Sequence, residues 1–186
     1  MPSSKHDMTG ITESLAFPLD EFYAAARRAL PELEAVVGPK MPEPYRSLLV
    51  HLSDMTSTLE NFHGDRLKLE VLSSRVDGGI YLREVLLRLE KSGKPVEFGA
   101  IRIHLDRFEA EPRRLILSGK VPLGRVLAEQ KVPFTSRPNG FFQIHADAFI
   151  GPLLAAAPGA VLYARRNTLS NPAGQSLAEI VEILPV

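Results

Sequence analysis

Two hydrophobic periods divide the chain near Leu67. Before it, Phe22, Ala25, Ala26, Leu30, Leu33 and Val37 recur at helical spacing, which predicts a helix over Leu19–Val37, kinked or split at Pro31. Pro39, Pro42 and Pro44 mark a loop. Tyr45–Leu52 then reads as a short helix, and Ser53-Asp54 offers an N-cap for another over Met55–Phe62, stopped by His63-Gly64. After Leu67 the period shortens to two. Leu67, Leu69 and Val71 alternate with Lys68 and Glu70, as in a strand with one wet face. Asp77-Gly78-Gly79 signals a hairpin into Ile80–Leu89, and Gly93-Lys94-Pro95 turns into a third strand, Val96–His104, so the three make an antiparallel meander. Asp106–Arg114 is charged, helical or looped, and Pro122 opens a helix over Leu123–Glu129. Phe141, Phe142 and Ile144 belong to a further strand, and Pro152–Ala157 is a short helix or loop. Val161–Leu169 and Gln175–Leu184 are long strands joined through Asn171-Pro172-Ala173-Gly174. The pattern predicts one α+β domain over residues 1–186, an antiparallel sheet of about six strands with helices on one face, and a loose arm at 1–17.

One strand carries an anomaly. Alternation puts Tyr81, Arg83, Val85, Leu87 and Leu89 on one face and Leu82, Glu84, Leu86 and Arg88 on the other. The first face is the more apolar and should be buried, with Arg83 in its middle. A guanidinium cannot shed its charge to escape burial, so it needs an anion. Either a carboxylate of the chain, such as Glu182 or Glu179, or a ligand supplies it.

Composition narrows the choice. The chain is 45% apolar and 24% charged, as in ordinary globular proteins. Lys+Arg and Asp+Glu balance at 22 each, which gives no electrostatic footprint for nucleic acid or an anionic membrane. Cysteine is absent, so disulfides, thiolate metal sites and cysteine nucleophiles are excluded. The polar start and the lack of a long apolar run predict a cytoplasmic protein without a membrane span. No phosphate loop, metal-ligand spacing, Ser-His-Asp constellation or dinucleotide fingerprint is present, and no metal or cofactor is expected. A small-molecule anion site with carboxylate help remains.

Two further stretches fit such a site. The helix opening at Pro122-Leu123-Gly124 leaves backbone N–H groups free for a carboxylate, and Gly124 permits close approach. On the last strand Glu182 shares a face with Ala178, Ile180 and Leu184, while Glu179 lies beside Leu177, Val181 and Ile183; alternation does not choose between the two. A carboxyl group on an apolar face has a raised pKa and can donate or share a proton.

Taken in order, Tyr81-Leu82-Arg83-Glu84-Val85-Leu86-Leu87, Gly119-Lys120-Val121-Pro122-Leu123-Gly124-Arg125-Val126-Leu127, Leu162-Tyr163-Ala164-Arg165-Arg166 and Glu182-Ile183-Leu184-Pro185 resemble the chorismate lyases. Asp54-Met55-Thr56 is similar to the helical lid of that family. The resemblance implies an antiparallel sheet with helical flaps over a buried site, and loss of pyruvate from chorismate, or a close analogue, to give 4-hydroxybenzoate without any cofactor. Carried over by motif, Arg83 clamps the ring carboxylate, the Leu123 backbone bonds the same ligand, Glu182 assists ether cleavage and Met55 lines the lid. Where many members carry an arginine, this chain has Gly99-Ala100, so Arg102 or another residue must supply any cation for a second carboxylate. The alternative is a non-catalytic domain that binds an aromatic carboxylate, similar to the effector-binding domains of bacterial regulators. In that case Arg83 and the Leu123 backbone hold the ligand without converting it.

Overall fold

The computed structural model describes residues 14–185. Among the described residues, seven antiparallel strands form one sheet in the order β1-β5-β6-β7-β4-β3-β2. They are β1 (Leu33–Ala35), β2 (Leu67–Asp77), β3 (Ile80–Leu89), β4 (Pro95–His104), β5 (Thr135–His145), β6 (Val161–Ser170) and β7 (Ser176–Leu184). The β2-β3-β4 meander and the β6-β7 hairpin form as the alternation predicts. At the first turn Gly78 and Gly79 take φ of 52° and 86°, values that favour residues without a Cβ.

Helices cover both faces of the sheet. On one side lie α2 (Tyr45–Leu49), α3 (Met55–His63), α4 (Ala110–Ser118) and α5 (Leu123–Glu129). Their Leu49, Leu59, Ile116 and Val126 pack on Tyr81, Val85, Ile103 and Ile180 of the sheet. The other side is closed by α1 (Leu19–Ala25) and α6 (Ile150–Leu153), where Leu19, Tyr23 and Ile150 pack on Leu86, Phe98, Phe142 and Ile183. The central strands are therefore buried on both faces, and β3, β4 and β7 have no wet side.

The N-terminal segment departs from its periodicity. Helix α1 ends at Ala25 and the chain then extends, so that Leu33–Ala35 pairs with Ile144–Phe142 of β5 as an edge strand. Pro31 has no N–H to continue a helix, and Leu30 and Val37 of the apparent helical series are exposed. Three paired residues are too few to show a period of two. Of the expected N-terminal arm, residues 1–13 lie outside the described residues, while Ala16 and Phe17 are packed into the fold rather than loose.

The two segments that roof the site start as their sequences dictate. Asp54 caps α3 by accepting the Ser57 N–H at 2.8 Å, and Pro122 precedes the first residue of α5. A Cβ on Gly124 would stand 2.5 Å from Asp54 Oδ1 and 2.8 Å from Thr56 Oγ1, so only glycine lets the two helix starts meet.

Candidate functional site

Between these helix starts and the sheet lies a small, partly open cavity. Its roof is Asp54, Met55 and Thr56 of α3 with Pro122, Leu123 and Gly124 of α5. Arg83, Val85 and Leu87 of β3, Glu97 and Ile101 of β4, and Ile180 and Glu182 of β7 form the floor. Leu69, Asn167 and Leu169 close the flanks. Four sequence candidates, Met55, Arg83, Leu123 and Glu182, thus face one space, with Gly124 at its edge.

Arg83 is fully buried. Its Nη1 donates a long bond of 3.5 Å to the Ile116 carbonyl, and its guanidinium carbon lies 5.7 Å from the Tyr81 ring centre. Nε and Nη2 have no hydrogen-bond partner among the described residues. The internal salt bridge to Glu182 or Glu179 is not formed: both carboxylates bond elsewhere. Desolvation lowers the pKa of Arg83 and the phenol group of Tyr81 offsets part of this, yet a guanidinium stays charged at neutral pH.

Glu182 pairs instead with Arg165, which stands directly opposite it on β6. Arg165 is also fully buried and donates to the carbonyls of Leu49 at 3.4 Å, His51 at 3.3 Å and Ser53 at 3.3 Å. Its Nη1 lies 3.3 Å from His51 Nδ1, which also accepts the Ser53 N–H at 3.1 Å, while Nε2 bonds the Leu48 carbonyl at 2.7 Å. These partners assign a neutral ring protonated at Nε2. Burial and the Arg165 charge lower the His51 pKa in agreement. The Arg165–Glu182 pair therefore fastens the segment between α2 and α3 to the sheet.

The remaining candidates lie elsewhere. Glu179 points to the opposite face and bonds His104 at 3.0 Å and the Ser176 hydroxyl. Arg102 is on that opposite face too, 3.9 Å from Glu21 and 5.6 Å from the Phe17 ring centre. The pleat decides this, because Arg102 alternates with Ile101 and Ile103, which take the cavity side. Arg102 is therefore no cation for the cavity.

Sequence reasoning missed Glu97. It stands opposite Leu87 on β3, is 3% exposed, and its Oε2 has no partner among the described residues. Desolvation above all, then the Glu182 and Asp54 charges, push its pKa well above the ordinary value of 4.5 against the opposing pull of Arg165. The signal was available: Glu97 shares a strand face with Gly99, Ile101 and Ile103. Asn167, which bonds the Ser136 hydroxyl at 3.0 Å, was missed as well.

No protein-family model and no curated protein sequence matches the chain. Solved structures do. PhnF from Mycobacterium smegmatis superimposes with a TM-score of 0.57 at 11% identity, over 92% of this chain and 94% of that one. The effector domain of the same protein gives 0.54 at 10% identity, over 72% and 88%. A gene product of Staphylococcus aureus gives 0.51 at 11% identity, over 64% and 82%. At such identities the likeness is one of fold. Among the described residues no helix is long and apolar enough to cross a membrane, and no group of three or more His, Asp or Glu side chains is placed to hold a metal ion.

Proposed function

We propose that the chain is a small-molecule-binding domain that holds an aromatic carboxylate in this cavity without converting it. The observation that carries the reading is Arg83, a fully buried guanidinium with Nε and Nη2 unpartnered among the described residues. These neighbouring donors suit the two oxygens of a carboxylate, which lysine could not match. Leu123 at the opening of α5 lines the same space, and Val85, Leu87, Ile101 and Ile180 offer apolar walls for a ring. A dry pocket of this kind strengthens each charge-assisted bond. The fold shared with an effector domain agrees with a binding role.

A second reading, elimination of pyruvate from chorismate, draws on the convergence of Arg83, Leu123, Met55 and Glu182 on one space. Two features weigh against it. Chorismate carries a second carboxylate, but Arg102 lies on the far face and the Arg165 charge is neutralised by Glu182. Glu182, the proton donor in that reading, is engaged by the Arg165 guanidinium.

Calorimetric titration with 4-hydroxybenzoate, alongside incubation with chorismate and assay of pyruvate, separates the two. The expected result is saturable binding, lost in Arg83→Met, and no pyruvate. Pyruvate and 4-hydroxybenzoate released in equal amounts would establish the lyase. Equal binding by wild type and Arg83→Met would remove Arg83 from the site.

A further inference from the structure

The cavity has a second unpartnered polar group, and it lies at the end remote from Arg83. On β4, Arg83 faces Ile101 and Glu97 is four residues away, roughly 13 Å along the strand at the usual rise. Between them lie Val85, opposite Gly99, and Ile101; the space that a Cβ on Gly99 would need is already taken by Val85 Cγ2 at 3.0 Å and Glu97 Oε1 at 3.4 Å. A ring lying against Val85 and Ile101 with its carboxylate on Arg83 therefore directs its para substituent toward Glu97. The charged groups acting on Glu97 are Glu182 across from Gly99, Arg165 paired with Glu182, and Asp54 above on α3. With the Arg165–Glu182 pair neutral in sum, that end of the cavity offers no free cation among the described residues.

We propose that the Glu97 carboxyl donates a hydrogen bond to a neutral acceptor on the ligand and so selects monoanionic aromatic carboxylates over dianions. The inference rests on the carboxylate site at Arg83 and adds which substituent the ligand bears. Burial with two carboxylates nearby keeps the proton on Glu97, which makes it a donor. An ionised para group would meet Asp54 with no free cation beside it among the described residues, and the selectivity follows from that repulsion as much as from the bond.

The test compares binding of benzoate, 4-formylbenzoate and terephthalate to wild type, Glu97→Gln, Glu97→Leu and Arg83→Met by calorimetry at neutral pH. Wild type is expected to bind 4-formylbenzoate roughly five- to tenfold more tightly than benzoate, the worth of one hydrogen bond, and terephthalate more weakly than 4-formylbenzoate. Glu97→Gln, which keeps a donor, retains the gain over benzoate, and Glu97→Leu loses it while still binding benzoate. An equal gain in Glu97→Leu, or terephthalate bound as tightly as 4-formylbenzoate by wild type, overturns the role of Glu97 and leaves the Arg83 site standing. Absence of any Arg83-dependent binding overturns the carboxylate site and this inference with it.

Discussion

Replacing Arg83 by Met should make the empty protein more stable while abolishing ligand binding. The methionine stem follows the aliphatic part of arginine and keeps the packing between Tyr81 and Val85. What it removes is a charge with two unpartnered donors, Nε and Nη2, and one weak bond of 3.5 Å. Each buried unsatisfied donor costs about 1–3 kcal/mol, and exchanging buried charge for apolar groups gains about 1–4 kcal/mol in other proteins. A net gain of about 2–4 kcal/mol is expected, which for a chain of this length raises the melting temperature by about 5–15 °C. Thermal denaturation with and without 4-hydroxybenzoate is the assay. Ligand at a hundred times its dissociation constant adds about 2.7 kcal/mol to wild type and nothing to the variant, so liganded wild type and empty variant converge. If Arg83→Met melts below wild type without ligand, the guanidinium holds the fold together and the reasoning fails.

Three other perturbations have defined outcomes. Glu182→Gln leaves Arg165 buried without its anion and should cost about 3–5 kcal/mol, a drop of about 6–20 °C in melting temperature; an unchanged melting curve contradicts the structural role given to the pair. Gly124→Ala pushes a methyl against Asp54, which its cap bond to Ser57 fixes in place, and should cost about 1–3 kcal/mol and weaken ligand binding. The pH dependence follows from Glu97, whose pKa is raised on folding. Below 4.5 both states hold the proton and stability is complete. As pH rises further the unfolded chain ionises first, and stability falls by about 1.4 kcal/mol per pH unit until the folded group ionises too. Denaturant titrations from pH 4 to 8 should show a shallower decline in Glu97→Gln than in wild type; parallel profiles contradict a buried, protonated Glu97.

The contrast between Arg83 and Glu97 shows how far one sequence can be read. Arg83 stands out because its neighbours at i±2, Tyr81 and Val85, are large and apolar. Glu97 follows the same alternation, but its nearest face-mate is Gly99 and the opposite face holds Val96 and Phe98, so it looks like the wet side of a strand. The strand has no wet side, because the starts of α3 and α5 roof the Glu97 face while α1 and α6 cover the Phe98 face. That double covering depends on how the helices pack on the sheet, which no local period records. Register has the same effect at Glu182. Alternation put Glu182 on the face with Ile180, but its partner Arg165 becomes visible only once β6 and β7 are aligned across their hairpin. Caps and turns, such as Asp54 before α3 and Gly78-Gly79 before β3, are local and were legible. Strand β1 was not, since its three residues owe their conformation to β5.

The most direct test of the central claim is a crystal structure of the protein with 4-hydroxybenzoate. The account predicts the ligand carboxylate on Arg83, with Nε and Nη2 each about 2.7–2.9 Å from an oxygen, and the ring against Val85 and Ile101 with its hydroxyl toward Glu97. A ligand bound outside the cavity, or one seated there with Arg83 still unpartnered, would contradict it.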